Sequence, residues 1–131
     1  MQDNYIEKLK RYKDERGDLL PLNFSNLPFP PKRLFLVANV PKDERRGDHA
    51  HYTTKQFLIC LRGEIDVELF DGNNKSVHTI FEGEGVYVPE MVWDSQVFKS
   101  GDDLLLVLAS TEYNESDYIT NKTKFTKIIN S

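Results

Sequence analysis

The clearest fold signal in this sequence is the stretch Glu64-Ile65-Asp66-Val67-Glu68-Leu69, in which acidic and apolar side chains alternate. Because successive side chains of a β-strand point to opposite faces, a period of two predicts a strand with one buried face. The stretch is followed by Asp71-Gly72-Asn73-Asn74. Asp-Gly tolerates the positive φ angles of a tight turn, so we predict a hairpin here. These two signals together favour an antiparallel sheet.

Short apolar segments on both sides of this strand are separated by glycine, proline and polar turns. We predict strands at 34–40, 56–61, 76–81, 86–88, 92–98 and 104–109, and two more at 6–12 and 18–22 with a turn at Gly17. Many short strands with regularly spaced turns are typical of an all-β sandwich or barrel.

The C-terminal tail has a different pattern. Asn114 and Asp117 resemble a helix-capping pair. The apolar residues that follow at helical spacing are Tyr118, Phe125, Ile128 and Ile129. We therefore predict one amphipathic helix over 115–130, packed across the outside of the barrel and without a chemical role.

Length and composition limit the possible functions. The 131 residues predict a single domain spanning 1–131. The net charge of −4 argues against a nucleic-acid partner, since phosphate binding needs a basic face, and no apolar run is long enough for a membrane helix. Cys60, the only cysteine, is predicted to be a small buried side chain in a reducing compartment. The start Met1-Gln2-Asp3-Asn4-Tyr5 does not resemble a signal peptide, so we expect a cytoplasmic protein.

The stretch Gly47-Asp48-His49-Ala50-His51 carries the main functional signal. Residues two apart on a strand share a face, so His49 and His51 are expected to point together into the interior of the barrel. Two neighbouring imidazoles are costly to bury unless they bind a ligand or exchange protons. We interpret the pair as the centre of a functional site.

Downstream of the histidines the chain supplies, in order, Gln56, Gly63, Gly83, Pro89, Trp93 and Asp94. Together with the His-x-His pair, this order resembles the two-part signature of the cupins, which implies a double-stranded β-helix (jelly-roll) barrel. The metal-binding glutamate and the third histidine of that signature correspond here to Gln56 and Asp94. An amide is a poor ligand for a divalent transition metal, so a four-ligand site is broken and metal binding is disfavoured, while a triad of His49, His51 and Asp94 stays open. We expect no metal and no other cofactor.

A closer resemblance, to the sugar 3,4-ketoisomerases, extends from about residue 17 to residue 125. It is carried by Lys32-Arg33-Leu34-Phe35, Arg46-Gly47-Asp48-His49-Ala50-His51, 56–63, Gly85-Val86-Tyr87-Val88-Pro89 through Trp93, Val107-Leu108-Ala109-Ser110, and Tyr113-Asn114-Glu115-Ser116-Asp117-Tyr118-Ile119. The resemblance implies a metal-free enzyme that acts on dTDP-4-keto-6-deoxyglucose during synthesis of 3-amino-deoxysugars for bacterial surface glycans. It also implies a homodimer, since related cupins commonly exchange an N-terminal strand.

The implied reaction moves the carbonyl between C4 and C3 of the sugar through an enediol, which requires general acid–base groups. His49 and His51 are the expected proton-handling pair. The resemblance also leads us to expect a tyrosine on the strand at 36–39 and a histidine after Trp93, and this sequence has neither. We therefore predict Tyr87 and Asp94 as additional catalytic residues.

The predicted substrate-binding residues are Arg33, Arg46, Gln56 and Trp93. A guanidinium group matches phosphate oxygens in bidentate fashion, so Arg46, beside the histidines, and Arg33, at the start of a strand, are expected to hold the pyrophosphate.

Three other functions stay open at this point. A sugar-nucleotide epimerase on the same scaffold would also remove a proton beside the ketone. An iron-dependent oxygenase would use His49, His51 and Asp94 as a two-histidine, one-carboxylate triad. A non-catalytic module would bind the dTDP-sugar without turnover. Bound iron would indicate the oxygenase, and tight binding without turnover would indicate the module.

Overall fold

The computed structural model describes residues 6–131; residues 1–5, which carried the signal-peptide expectation, lie outside the described residues. The strands are β1 (Ile6–Lys8), β2 (Tyr12–Asp14), β3 (Gly17–Leu19), β4 (Arg33–Ala38), β5 (Glu44–His51), β6 (Gln56–Arg62), β7 (Glu64–Phe70), β8 (Lys75–Phe81), β9 (Glu84–Val88), β10 (Trp93–Phe98), β11 (Leu104–Ala109) and β12 (Tyr118–Ile119). Short 3₁₀ turns span Phe24–Asn26 and Glu115–Asp117, and the helix α1 (Lys122–Ile129) ends the chain.

Two antiparallel sheets enclose the interior of the protein. Sheet I has the strand order β1-β9-β6-β11-β4, and sheet II has the order β12-β5-β10-β7-β8. Strands β2 and β3 form a separate hairpin. The chain crosses repeatedly from one sheet to the other, which is the double-stranded β-helix arrangement. The predicted all-β cupin fold with a C-terminal helix is therefore confirmed.

Strand β7 and its turn are as the sequence predicts. The side chains of β7 are alternately half-buried and buried along its length. The turn after it is closed by the Asp71 carboxylate, which accepts hydrogen bonds from the backbone N–H groups of Asn73 and Asn74 at 2.8 and 2.7 Å. Strand β8 then returns antiparallel to β7. The β7–β8 hairpin, at one edge of sheet II, is therefore encoded locally.

The main core lies between the inner faces of the two sheets. Its buried side chains are Val40, Leu58, Cys60, Ile65, Val67, Leu69, Ile80, Val86, Val88, Val92, Phe98, Leu105 and Val107. Cys60 is fully buried there, as predicted, and burial raises the pKa of its thiol to about 11. Burial of this apolar surface is the main stabilising contribution to the fold.

Each sheet also has an apolar cluster on its outer face. The cluster on sheet I contains Phe29, Phe57, Ile59 and Leu108, with Leu9, Leu22, Leu27, Tyr87 and Leu106 packed against it. The cluster on sheet II contains Ala50, Trp93, Ile119 and Phe125, with Phe70, Met91, Ile128 and Ile129 at its border. The N-terminal segment therefore covers part of sheet I, and helix α1 covers one end of sheet II.

The two N-terminal strand predictions are only partly correct. The predicted strand at 6–12 is divided: Ile6–Lys8 pairs with β9 in sheet I, and Tyr12–Asp14 forms its own hairpin with Gly17–Leu19. The break falls where Leu9 packs into the cluster outside sheet I and its N–H donates to the Gly83 carbonyl at 2.8 Å. Within residues 6–131, no helix has both the length and the apolar character needed to cross a bilayer.

The predicted helix over 115–130 is too long by about two turns. Residues 115–117 form a 3₁₀ turn, 118–119 form β12, and the helix begins only after Asn121, whose side chain accepts from the Lys124 N–H at 2.8 Å. The Asp117 carboxylate is the reason. It accepts hydrogen bonds from the backbone N–H and hydroxyl groups of both Thr53 and Thr54, which ties this segment to the end of β5 and prevents an early helix.

Candidate functional site

A β-bulge in β5 sets the direction of the side chains that form the site. Asp94 lies opposite His49, but the next residue, Ser95, lies opposite Gly47, so Asp48 is extra in the ladder. Gly47 and Asp48 adopt positive φ angles of 88° and 58°. Glycine and aspartate are among the residues that tolerate this region best. Because of the extra residue, Arg46 and His49 face the same side although they are three positions apart.

Three aromatic rings are in mutual contact at the end of β5. The ring centroids of His49 and His51 are 4.9 Å apart, as expected for residues two apart on one face of a strand. The ring of Tyr118, from β12, lies 5.1 Å from His49 and 4.4 Å from His51. Strand β12 pairs with β5 so that Tyr118 is directly opposite His51. The tyrosine therefore fixes both imidazoles from the neighbouring strand.

A small cavity of about 80 Å³ opens beside these rings, inside the barrel. Its polar lining residues are Arg46, His49, Gln56, Gln96 and Tyr118, and its apolar lining comes from Phe35, Val37, Leu58, Leu105 and Val107. Three residues predicted from sequence, Arg46, His49 and Gln56, are thus brought together. Arg46 is an exposed strand residue that lines the cavity, whereas its neighbour Arg45 is paired with Glu68 at 2.6 Å.

Arg33 is the fourth predicted residue that the structure places near the histidines. It begins β4, and its guanidinium carbon lies 4.5 Å from the ring centroid of Phe35 and 5.1 Å from that of Tyr113. Phe35 lines the cavity, and Tyr113 contacts Tyr118 with centroids 5.8 Å apart. The positive charge of Arg33 also contributes to lowering the pKa of His51.

Both histidines of the pair are held in their neutral form. Burial, followed by the charge of His49, lowers the pKa of His51 to about 4. Burial also lowers the pKa of His49, although a hydrogen bond with the Gly47 backbone and the charge of Asp48 act in the opposite direction. A neutral imidazole has a free lone pair, so the pair can accept a proton at neutral pH.

Asp94 lies behind His49 as a fully buried carboxyl group. Its Oδ1 atom is 3.8 Å from Nε2 of His49, and its Oδ2 atom accepts a hydrogen bond from the side-chain amide of Gln96. Burial raises the pKa of Asp94 to about 7. The carboxyl group thus has one oxygen directed at His49 and the other bound by Gln96.

The donor set of the oxygenase alternative is not assembled. The described part of the chain has no group of three histidine, cysteine, aspartate or glutamate side chains arranged to hold a metal ion. His49 approaches Asp94, but His51 packs against Tyr118 instead of completing a triad with them.

Tyr87 and Trp93 are not placed with the histidines, which corrects two of the predicted roles. Val86 and Val88 point into the core, so Tyr87 between them points outward, where it packs near Phe29 with ring centroids 6.2 Å apart. Trp93 likewise lies on the outer face of sheet II against Phe125. In both cases the alternation of the strand directs the side chain away from the cavity.

Tyr118 is the site residue that the sequence reasoning missed. Its apolar ring was included in the predicted helix, because Tyr118 and Phe125 have helical spacing. The available signal was the Asp117-Tyr118-Ile119 run, one of the most specific parts of the family resemblance. This run matches the family by residue identity, although the predicted helix that contained it had no expected chemical role. Such a match indicates a site residue.

A larger groove, of about 350 Å³, lies elsewhere on the molecule. It is on the outer face of sheet II and is lined by residues such as Phe70, Lys75, Trp93 and Lys122. None of the three histidines of the chain contributes to it. Size alone therefore does not identify the site, and it is the smaller cavity that has His49 in its lining.

Comparison with known proteins places the chain in a family. A family model described as "FdtA: WxcM-like, C-terminal" matches residues 2–130. The chain belongs to this family. Relatives of this chain confirm its resemblance to the sugar 3,4-ketoisomerases. One is the TDP-4-oxo-6-deoxy-alpha-D-glucose-3,4-oxoisomerase of Aneurinibacillus thermoaerophilus, which is 36% identical over 129 residues, 97% of this chain and 93% of the relative.

Solved structures of similar proteins have the same fold over nearly their full length. A 3,4-ketoisomerase from Helicobacter canadensis is 32% identical, with a TM-score of 0.93 and complete coverage of both chains. The 3,4-ketoisomerase QdtA from Thermoanaerobacterium thermosaccharolyticum, solved as a mutant in complex with TDP-4-keto-6-deoxyglucose, is 30% identical, with a TM-score of 0.91 and coverage of 98% of this chain and 95% of the other.

Proposed function

We propose that this FdtA-family chain is an isomerase, a dTDP-4-keto-6-deoxyglucose 3,4-ketoisomerase that forms a dTDP-3-keto-6-deoxyhexose. The observation that carries the proposal is the ring contact between two neutral imidazoles, His49 and His51. His49 lines the cavity together with Arg46 and Gln56, and His51 lies behind it. The relatives named as 3,4-ketoisomerases match this chain over nearly its whole length, which supports the same activity here.

The proposed reaction is a proton transfer between two neighbouring carbons. The histidine pair takes the proton from C3, beside the C4 ketone, and the electrons of that C–H bond form the C3–C4 double bond while the C4 oxygen gains a proton. The C3 hydroxyl then loses its proton, and C4 receives one from the pair. The product has its carbonyl at C3, and neither electrons nor atoms are left over. A positioned acid–base group typically contributes ~10²–10⁴-fold to such a step.

Arg46, Arg33 and Gln56 are proposed to hold the substrate. The cavity of about 80 Å³ is smaller than the ~300–1,000 Å³ of typical ligand sites. We therefore expect the sugar ring to enter it and the nucleotide to lie at its mouth. There the guanidinium of Arg33 stacks on Tyr113, whose side chain is exposed. Gln56 is buried in the cavity and can orient a sugar hydroxyl.

The test is incubation of the enzyme with dTDP-4-keto-6-deoxyglucose in D₂O, followed by NMR of the sugar ring. Movement of the carbonyl to C3 with deuterium at C4 is the expected result, because histidine N–H protons exchange with solvent. Deuterium beside an unmoved C4 ketone would indicate an epimerase instead. An unmoved ketone without deuterium after long incubation would overturn the proposed activity.

We also propose that residues 1–131 form a single domain and that the chain acts as a cytoplasmic homodimer that serves the synthesis of surface glycans. Support for the dimer comes from β4, where the outward-facing side chains of Leu34 and Leu36 are 56% and 55% exposed. Adjacent exposed leucines on an apolar sheet face are typical of a subunit interface. Light scattering should give twice the chain mass, and Leu36→Lys should give the monomer. A matched change, Val77→Lys on the outer face of sheet II, should leave the dimer intact.

A further inference from the structure

Asp94 is a buried carboxyl group without a complete structural role. It is 0% exposed, and within residues 6–131 its Oδ1 atom has no hydrogen-bond partner. Buried polar atoms without a partner are rare in folded proteins, because the lost contacts with water are not replaced. The nearest ionisable group to this oxygen is the imidazole of His49, whose Nε2 atom is 3.8 Å away.

The orientation of this carboxyl group is set by its surroundings. Gln96 donates its amide N–H to Oδ2, which leaves Oδ1 directed at His49. Gly47, opposite these residues at the bulge, gives Gln96 its space: a Cβ atom at Gly47 would lie 3.0 Å from Nε2 of Gln96 and 3.1 Å from the Asp94 carbonyl oxygen. The bulge, the glycine and the glutamine therefore act together to point one carboxylate oxygen at one imidazole.

Asp103 provides the contrast within the same chain. It is equally buried, but its Oδ1 accepts hydrogen bonds from the Glu64 N–H and the Ser100 hydroxyl, and its Oδ2 accepts one from the Ser100 N–H. Asp103 is thus a structural carboxylate that holds two turns together. Asp94 makes no comparable set of contacts, so stability alone does not explain it.

We propose that Asp94 is a positioning residue, whose carboxylate is the partner of the positive charge that the His49–His51 pair carries after it has taken the proton from the sugar. The inference rests on the proposed ketoisomerase function and adds a residue to the same site. Asp94 acts through His49, because it is fully buried and its Oδ1 atom is directed at that imidazole. A fixed negative group beside a charge that develops during the reaction lowers the barrier without reorganisation. The raised pKa of Asp94, about 7, means that both forms of the carboxyl group are populated near neutral pH.

The test compares Asp94→Asn and Asp94→Leu with the wild type, using substrate that carries hydrogen or deuterium at C3. We expect kcat to fall by at least about tenfold in both variants while KM changes less than about twofold. We also expect the isotope effect on kcat to rise, because removal of the C3 proton becomes slower than every other step. The leucine variant serves as a second measurement, since it removes the orphaned oxygen and fills the space with an apolar side chain.

Asp103→Asn is the matched control, since it alters an equally buried aspartate. It should lower the melting temperature but leave both kcat and the isotope effect unchanged. If both Asp94 variants keep kcat within twofold of wild type, or lose kcat without any rise in the isotope effect, the inference is overturned. An inactive wild type would overturn the proposed function and this inference together. An active wild type with unaffected Asp94 variants would overturn this inference alone, so the two failures are distinguishable.

Discussion

At the scale of single residues, the site depends on neutral imidazoles and on where the guanidinium groups lie. His51 is buried, and its lowered pKa keeps it unprotonated at neutral pH. Arg45 and Arg46 are neighbours with different tasks: Arg45 pairs with Glu68 on the outer face of sheet II, and Arg46 faces the cavity. The chain has a second residue of the same type outside the site for each of these side chains: His78 for His51 and Arg45 for Arg46. Matched substitutions can therefore separate a role in the site from a general effect of the change.

Replacing His51 by Asn should lower kcat by about 100-fold or more, because Asn cannot exchange protons near neutral pH. Binding of TDP, measured by calorimetry, should stay within about twofold, since the change is at the sugar-binding end. His78→Asn is the control, because His78 lies on β8 and its ring contacts Ser76 rather than the cavity. A His51 variant with more than about a tenth of the wild-type rate would contradict an essential role.

Arg46→Ala should raise KM by about tenfold or more and lower kcat much less. Contacts to phosphate oxygens bind the ground state and the transition state equally, so their loss appears in binding. Steady-state kinetics with the dTDP-sugar would measure both constants. Arg45→Ala, which removes the ion pairs with Glu68 and Asp48, should leave KM unchanged. A fall in kcat at constant KM would instead place Arg46 at the reacting carbons.

At the scale of elements, the site depends on a link between two distant segments. Strand β12 brings Tyr118 to the histidines, and four hydrogen bonds from Thr53 and Thr54 to the Asp117 carboxylate hold β12 in place. These bonds come from residues more than 60 positions earlier in the chain. The link also lowers the pKa of Asp117, because hydrogen bonds from Thr54 and Thr53 favour the ionised carboxylate over the cost of its burial.

Asp117→Ala should lower the free energy of unfolding by about 3 kcal/mol, since it leaves buried donors without their charged acceptor. It should also lower kcat, because Tyr118 no longer fixes the imidazoles. Urea unfolding and steady-state kinetics would measure the two effects. Asn114→Ala, which removes a cap at the exposed start of the same turn, is the control and should cost only about 1 kcal/mol with kcat unchanged. Equal effects of the two changes would show that the link has no special role.

At the scale of the whole molecule, the buried ionisable groups of the site make the free energy of unfolding depend on pH. The Asp94 carboxyl group has a pKa raised to about 7, and His51 has a pKa lowered to about 4. Both shifts arise mainly from burial in the barrel and act in opposite directions on the pH dependence of folding. Below about pH 6.5 the unfolded chain binds a proton at His51 that the folded chain does not, so this group makes stability fall on acidification. Between about pH 4 and 7 the folded chain keeps a proton on Asp94 that the unfolded chain releases, so this group makes stability fall as the pH rises.

The pH dependence of Asp94→Asn stability should isolate the second effect. Relative to wild type, the free energy of unfolding of the variant should increase by about 2 kcal/mol between pH 5.5 and pH 8, since one proton is worth about 1.4 kcal/mol per pH unit up to the raised pKa. Urea titrations of both proteins at the two pH values would measure this. The contribution of His51 cancels in the difference. A difference between the proteins that does not change with pH would contradict a raised pKa at Asp94.

The fold class, the position of most strands and the histidine pair can all be predicted from the sequence. Alternation along Glu64–Phe70, the Asp-Gly turn and the spacing of His49 and His51 are local patterns, and they report directly which face of a strand is buried. The same alternation contained the correct direction of Tyr87, because the valines on each side of it are core residues. The family resemblance added the substrate class, and it singled out position 94, where this chain has Asp94 in place of the expected histidine.

Which side chains meet in the site depends on the three-dimensional fold. The bulge at Gly47 and Asp48 changes the alternation by one residue, which is how Arg46 and His49 come to share a face. The packing of Tyr118 on the histidines depends on Asp117 meeting Thr53 and Thr54, and the direction of Asp94 depends on Gln96. The alternation of apolar and polar residues indicates which face of a strand is buried. It contains no information on which distant segments pair or where a strand has a β-bulge. Those outcomes follow from long-range hydrogen bonds whose partners are far apart in the chain.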